Sequence, residues 1–204
     1  MNETLKRALS GAVYVAIMWF GTSYSDKSFI ILFGIIGLIC NREMGKLTIK
    51  FSYLYILLSS LYVLTPILLV FQLNRELVLF MFILTWTFDT FAYLFGVKFG
   101  KHKIMPSISP KKSWEGFAGG FTFTILASYL SYSYFEFESF QEVLIISIIL
   151  PFTATLGDFI ESYYKRKAGV KDSGSFIPGH GGMLDRMDAF MITIPVLYIL
   201  TKLL

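Results

Sequence analysis

VLIISIILPFTATLGDFIESYYKRKAGVKDSGSFIPGHGGMLDRMDAFMITIPVLYILTKL, residues 143–203, carries two long apolar runs, about 143–161 and 184–203, on either side of a basic, glycine-rich connection. Each run is close to the roughly 20 residues that an α-helix needs to cross a bilayer. Backbone polar groups in lipid must be satisfied within the segment itself, so the stretch reads as two membrane helices joined by a polar loop. Toward the N-terminus, further apolar runs fall at about 8–24, 28–41, 53–71, 77–97 and 114–134. The second is short for a span and is expected to be tilted or partly interfacial. The first follows Lys6 and Arg7 and has no small-x-small cleavage site, so it reads as a retained anchor rather than a secretory signal.

Composition agrees with this pattern. Of 204 residues, 55% are hydrophobic and 16% charged, against roughly 25% charged in soluble chains. Seven spans leave only short connections, so a single membrane domain over 1–204 is expected. The expected fold is all-α, a polytopic integral membrane protein with about seven transmembrane helices. One cysteine, Cys40, excludes a disulfide framework and a multi-cysteine metal site.

Basic residues alternate by loop. Lys6 and Arg7, then Arg42, Lys46 and Lys50, then Lys98, Lys101, Lys103, Lys111 and Lys112, then Lys165, Arg166, Lys167 and Lys171 fall on one side. The other side holds only Lys27, Arg75 and Lys202, and its 135–142 loop carries Glu136, Glu138 and Glu142 without a basic residue. The positive-inside rule then places the N-terminus and the long basic loops in the cytoplasm. The same charge sits in short loops between spans, which does not point to nucleic acid.

Carboxylates within spans are costly and are functional-site candidates. Asp89 lies in the fourth run among aromatics, with Tyr93 one turn on. Asp158 and Glu161 lie in the sixth, with Ser162 one turn beyond Asp158. Asp185 and Asp188 open the seventh. Residues three apart share a helix face, so two helices joined by one loop would aim several acids at one another. Such a cluster needs positive charge, either from hard divalent ions, which take oxygen ligands, or from neighbouring Lys and Arg. For Asp158, Asp185 and Asp188 together metal is preferred. Salt bridges from Asp185 or Asp188 to Lys165 or Arg186 are the alternative, and Asp89 alone stays open between a structural and a site role.

The connection supplies groups suited to phosphate: Lys165, Arg166 and Lys171, then Gly179, His180, Gly181 and Gly182 just before a helix N-terminus. The stretch 96–116 repeats the theme with Lys98, Lys101, Lys103, Lys111 and Lys112, plus Ser107, Ser109 and Ser113. No GxxxxGK[ST] loop occurs. Two basic loops beside a carboxylate cluster suit a polyphosphate carried on metal ions.

Ser162, Lys165, Arg166, Lys171, Asp172, Gly174, Pro178, His180, Gly181, Gly182, Asp185, Arg186 and Asp188 together resemble the signature of the phosphatidate cytidylyltransferases, or CDP-diacylglycerol synthases. Asp89-Thr90, Ala92-Tyr93 and Gly96, then Ser109-Pro110-Lys111-Lys112-Ser113-Trp114-Glu115-Gly116, resemble the family too, with Ser113 where relatives often have Thr. The resemblance covers about 82–190. It implies transfer of the cytidylyl group of CTP to phosphatidate, giving CDP-diacylglycerol and pyrophosphate, with Mg²⁺ and a second cation, K⁺. It implies metal ligation by Asp158, Asp185 and Asp188, with Lys165 and Arg166 catalytic. Substrate-binding roles fall on Ser162, Lys171, Asp172, His180, Gly181, Gly182, Arg186, Lys111, Lys112 and Asp89. A homodimer and a bacterial inner-membrane setting with a cytoplasmic active site are also implied. Many relatives carry extra N-terminal spans, so 1–80 reads as a reduced version of that region.

Two rival readings remain. One is a neighbouring CTP-using enzyme, a cytidylyltransferase for another lipid phosphate or a CTP-dependent polyprenol kinase. The other is a cation or proton transporter, which leaves the Lys/Arg/Gly loops unexplained and predicts paired broken helices. The DGxxAR…GxxxD…D arrangement of the CDP-alcohol phosphotransferases is absent.

Overall fold

A computed structural model describes residues 3–135, 137 and 139–203, with side chains from Leu5 onward. Glu136 and Glu138 of the acidic loop lie outside the described residues, as do the terminal residues 1, 2 and 204. Seven α-helices are present among those described. They are α1 (Glu3–Ser23), α2 (Asp26–Thr48), α3 (Tyr53–Val70), α4 (Arg75–Phe99), α5 (Trp114–Ser131), α6 (Phe140–Lys167) and α7 (Leu184–Leu203). Of these, α2, α3, α4 and α6 are each long and apolar enough to cross a membrane. The chain is an all-α membrane protein.

The second helix is longer than its short apolar run. It runs for 23 residues because helical structure continues past the apolar run through Arg42, Glu43 and Lys46. Its start is fixed by a capping box, in which Ser25 and Ser28 each accept from the other's backbone N–H. The sixth helix likewise extends beyond its apolar run, so Lys165, Arg166 and Lys167 form its last turn instead of opening the loop. Cations in that position face the negative end of the helix dipole.

A second difference lies between α4 and α5. The basic stretch expected as an open loop forms an antiparallel hairpin, β1 (Lys103–Met105) with β2 (Ser109–Ser113). The Glu115 carboxylate ties down its base, accepting from the Lys101 N–H at 3.1 Å and the His102 N–H at 3.2 Å, and pairing with His102 Nδ1 at 2.6 Å. Ser113 is the buried N-cap of α5, its hydroxyl accepting from the Gly116 N–H at 3.2 Å.

Lipid is as apolar as leucine, so packing and interhelical hydrogen bonds hold such helices together. Gly116 and Gly120 bring α5 against α4, where an added Cβ would meet the carbonyl oxygens of Ala92 at 2.6 Å and Phe88 at 2.8 Å. Phe82 of α4 stacks on Trp86 and meets Phe190 of α7 edge-on, with centroids 5.4 Å apart in both pairs. The hydroxyls of Thr153 and Thr193 hydrogen-bond at 2.9 Å between α6 and α7, buried from lipid. These contacts fix the α4, α6 and α7 ends that carry the acidic residues.

Candidate active site

The loop after α6 returns the chain through a tight turn. Ile177 accepts from the His180 N–H at 2.9 Å across Pro178-Gly179, and Gly179 has φ +79°. Proline first and a positive-φ glycine second is the requirement of a type II turn. Gly181 follows at φ +87°, and α7 starts three residues later.

Asp185, in the first turn of α7, has both carboxylate oxygens engaged. Its Oδ1 accepts from Lys165 Nζ at 2.7 Å, and its Oδ2 accepts from the Gly182 N–H at 2.7 Å. The N–H and hydroxyl of Ser173 both donate to Oδ2 at 2.9 Å. Of the two readings of this acid, salt bridge and metal ligand, the first describes its contacts. Lys165 also ion-pairs with Glu161, one turn back on α6.

Asp158, Glu161 and Asp188 come together instead, each offering one oxygen within 4.8 Å of the others. Glu161 is fully buried, and neither of its oxygens accepts a well-aligned hydrogen bond among the described residues, although the Lys165 ammonium touches it. Asp158 accepts from the Ser162 hydroxyl at 3.1 Å and ion-pairs with Lys112 of the hairpin. Asp188 accepts from the Ala189 N–H at 2.7 Å. Three converging carboxylates, one of them lacking aligned donors, fit a hard divalent cation with oxygen ligands.

A cavity of about 710 Å³ opens over this cluster. Asp89, Asp158, Asp185 and Asp188 line it with Lys103, Lys111, Lys112 and Arg186. A second cavity, of about 320 Å³, lies between α1, α4 and α7, lined by Tyr14, Val15, Trp86, His180 and Phe190 among others. The two share Asp89, Asp185, Arg186 and Asp188 as walls. Asp89 is thus a wall of both. Tyr93 of the same helix is 68% exposed, so the aromatic surroundings of Asp89 are not a closed core.

Other expected site residues sit apart. Lys171 and Asp172 are exposed on the loop and line neither cavity. Arg166 is exposed and donates to the Val170 carbonyl at 2.9 Å. Arg186 uses Nε and Nη2 to hold the His180 carbonyl, at 3.3 and 3.1 Å. The imidazole Nδ1 of His180 hydrogen-bonds the Ser10 hydroxyl of α1 at 3.0 Å. Burial draws the His180 pKa below its ordinary value, and the charges of Arg186 and Arg7 add to this.

The glycine loop departs from expectation in one respect. Backbone N–H groups before α7 were expected to be open to an anion, yet the protein's own acids take them. Gly182 donates to Asp185, and Met183 and Leu184 donate to Glu43 of α2 at 3.2 and 2.8 Å. Glu43 and Ser173 are the residues that sequence reasoning passed over. For Glu43 a signal was present, because Phe33, Ile36, Cys40 and Leu47 form the buried stripe of α2 and Glu43 falls on it at helical spacing.

Fold and site together define a helical membrane protein with a carboxylate cluster beneath a basic hairpin. Residues 48–204 match the cytidylyltransferase family, and the chain belongs to it. It is 42% identical over 158 residues to the phosphatidate cytidylyltransferase of Staphylococcus saprophyticus, covering 74% of this chain and 61% of that protein. The enzyme of the same name from Staphylococcus epidermidis is 46% identical over 124 residues, 60% of this chain and 48% of that protein. That from Staphylococcus aureus is 40% identical over 158 residues, 74% and 61% of the two chains. The matches thus span about half to three fifths of the length of these relatives.

Proposed function

We propose that the protein transfers the cytidylyl group of CTP to phosphatidate, giving CDP-diacylglycerol and pyrophosphate. The observation that carries this reading is the convergence of Asp158, Glu161 and Asp188, two of which, Asp158 and Asp188, line a cavity that Lys103, Lys111 and Lys112 line as well. Acids below and lysines above suit a triphosphate carried on cations. The volume lies within the roughly 300–1,000 Å³ of small-molecule sites.

The reaction needs little proton chemistry. A phosphatidate oxygen attacks the α-phosphorus of CTP, the bond to the bridging oxygen breaks, and pyrophosphate leaves. The obstacle is repulsion between two anions, so catalysis is positioning and electrostatics. A divalent cation, Mg²⁺ in this proposal, held by Asp158 and Asp188 with Asp185 or Glu161 beside them, supplies charge neutralisation to the triphosphate. Lys111 and Lys112 hold the nucleotide's phosphates from the hairpin, and Lys165 keeps Asp185 in place. Arg186 lines both cavities and is suited to the lipid phosphate through Nη1, the guanidinium nitrogen that the His180 carbonyl does not take. The smaller cavity, walled by Tyr14, Val15, Trp86 and Phe190, gives that lipid an apolar approach.

The proposal extends to the setting. All seven helices span the membrane as one domain, in a bacterial inner membrane, with the N-terminus and the active site cytoplasmic. The placement of basic residues supports this orientation. CTP then arrives from water and phosphatidate from the bilayer. A second cation, K⁺, and a homodimer complete the proposal on family resemblance.

Purified protein in detergent, given Mg²⁺, labelled CTP and phosphatidate, is expected to form CDP-diacylglycerol. Conversion of an isoprenoid phosphate or a polyprenol with phosphatidate inert would assign the chain to the neighbouring CTP-using enzymes. Cation flux into liposomes without CTP would overturn the enzymatic reading.

A further inference from the structure

The N-terminus of α7 bears both Asp185 and Asp188, and its free amides are closed by an acid from another helix. Glu43 sits on α2, before the start of the family match at residue 48. Its side chain is buried, with the residue 6% exposed. One carboxylate oxygen accepts from the Met183 N–H at 3.2 Å, and the other accepts from the Leu184 N–H at 2.8 Å. A helix N-terminus carries unsatisfied N–H groups and partial positive charge, so a carboxylate there is favoured twice.

Glu43 also reaches the loop. The Ser173 hydroxyl lies 3.2 Å from Glu43 Oε2 and 2.9 Å from Asp185 Oδ2. Its single proton therefore serves two acids, and Ser173 bridges the cap to a residue of the site. Lys165 continues the chain from Asp185 to Glu161. The loop is shaped around this acid. A Cβ on Gly174 would fall 2.5 Å from Glu43 Oε1, and one on Gly182 would fall 2.5 Å from Oε2.

We infer that Glu43 is a positioning residue for the proposed cytidylyl transfer, setting the first turn of α7 so that Asp185 and Asp188 face the cavity. It touches no proposed substrate. It acts by fixing where α7 begins and how that turn is rotated. The inference rests on the proposed function for its kinetic arm, but the cap itself can be measured without turnover.

The test uses the full chain in detergent, with Glu43→Ala, Glu43→Gln and Gly174→Ala. Gly174 has no positive φ, so alanine there displaces the Glu43 carboxylate while leaving its charge in the protein. Hydrogen exchange at the amides of 182–188 is expected to quicken in Glu43→Ala and Gly174→Ala, with α3 and α4 unchanged. In the same two variants kcat is expected to fall about 10- to 100-fold, since small misplacements of site groups have costs of that size. KM for CTP should stay within about threefold, because uniform substrate binding is not what is lost. Glu43→Gln keeps one acceptor and should fall between. Unchanged exchange at Met183 and Leu184 in Glu43→Ala overturns the inference. So does a fall in activity that merely matches the loss of folded protein. A wild-type chain inert toward CTP and phosphatidate would instead sink the proposed function, leaving the exchange result to stand on its own.

Discussion

Gly157 of α6 lies flat against the backbone of Asp188 on α7. A Cβ on Gly157 would fall on the Asp188 carbonyl oxygen, 3.1 Å from the carbonyl carbon and 3.3 Å from Ala189 Cα. The Tyr62 hydroxyl of α3 donates to the Gly157 carbonyl at 3.0 Å and braces the crossing. Asp158 is the next residue, so this contact sets its distance from Asp188. Gly157→Ala is expected to part the helices and lower CDP-diacylglycerol formation by about 100-fold, the size of effect that follows a misplaced site. Helical content by circular dichroism should be retained. Near-wild-type kcat in Gly157→Ala would show that the crossing does not set the site.

Asp185 and Asp188 are three residues apart but have different surroundings. Asp185 is paired with Lys165 and capped by Ser173 and Gly182, whereas Asp188 faces Asp158 and Glu161. Both Asp185→Ala and Asp188→Ala are expected to abolish turnover, for different reasons. Removing one partner of a buried ion pair costs about 3–5 kcal/mol, so Asp185→Ala should lower the thermal unfolding midpoint sharply. Asp188→Ala relieves repulsion within the acidic cluster and should leave the midpoint level or raised. Equal destabilisation by both would mean that the two acids are not divided in this way.

This division also marks the limit of what could be read from the chain alone. Period and spacing placed Asp158, Asp185 and Asp188 on two helices that would meet, and α6 and α7 do pack together. Spacing does not say which way a side chain turns once a lysine one helix away competes for it, so Asp185 was grouped with the other two. Glu161 was visible as an intramembrane acid, but its burial beside Asp158 depends on the α6–α7 crossing. Glu43 was harder still, because Arg42 and Lys46 beside it read as loop charge. Only the extension of α2 to Thr48 puts Glu43 on the inward stripe. The β1–β2 hairpin is short and contains Pro110, a residue that argues against strand, so it looked like an open loop.

Lys112 offers a test of which cavity takes the nucleotide. Its ammonium contacts Asp158 and lies 5.4 Å from the Phe159 ring centroid, on the hairpin side of the larger cavity. A charge-assisted hydrogen bond to phosphate is worth about 1.5–3 kcal/mol, so Lys112→Met should raise KM for CTP by roughly tenfold or more. KM for phosphatidate should move far less. The opposite split, measured with each substrate varied in turn, would exchange the assignments of the two cavities.

His180 gives a dependence on pH whose sign is fixed by its surroundings. Its folded-state pKa lies below the ordinary histidine value, from burial first and then from Arg186 and Arg7. Between that lowered value and about 6.5, the unfolded chain binds more protons than the folded one. Stability should therefore rise with pH through this window and be complete above it. Unfolding midpoints taken from pH 5.5 to 7.5, a range bracketing the ordinary value of about 6.5, should fall less on acidification in His180→Gln than in the wild type. Parallel curves would remove His180 as the source.

Orientation is testable by chemistry at two exposed lysines. Lys171 lies on the loop beside the site and Lys27 near the start of α2, at opposite ends of the proposed spans. The only native thiol, Cys40, is fully buried and can be removed as Cys40→Ala to clear the background. Basic loops are retained on the cytoplasmic side during insertion, and Lys171 belongs to such a loop whereas Lys27 stands alone. In intact bacterial cells a membrane-impermeant maleimide should label Lys27→Cys directly, and Lys171→Cys only after permeabilisation. The reverse pattern would turn the protein over and put the acidic cluster on the side where no CTP is supplied, which would remove the basis of the proposed reaction. Labelling of both from outside would mean an even number of crossings between the two positions, against the five proposed for α2 through α6.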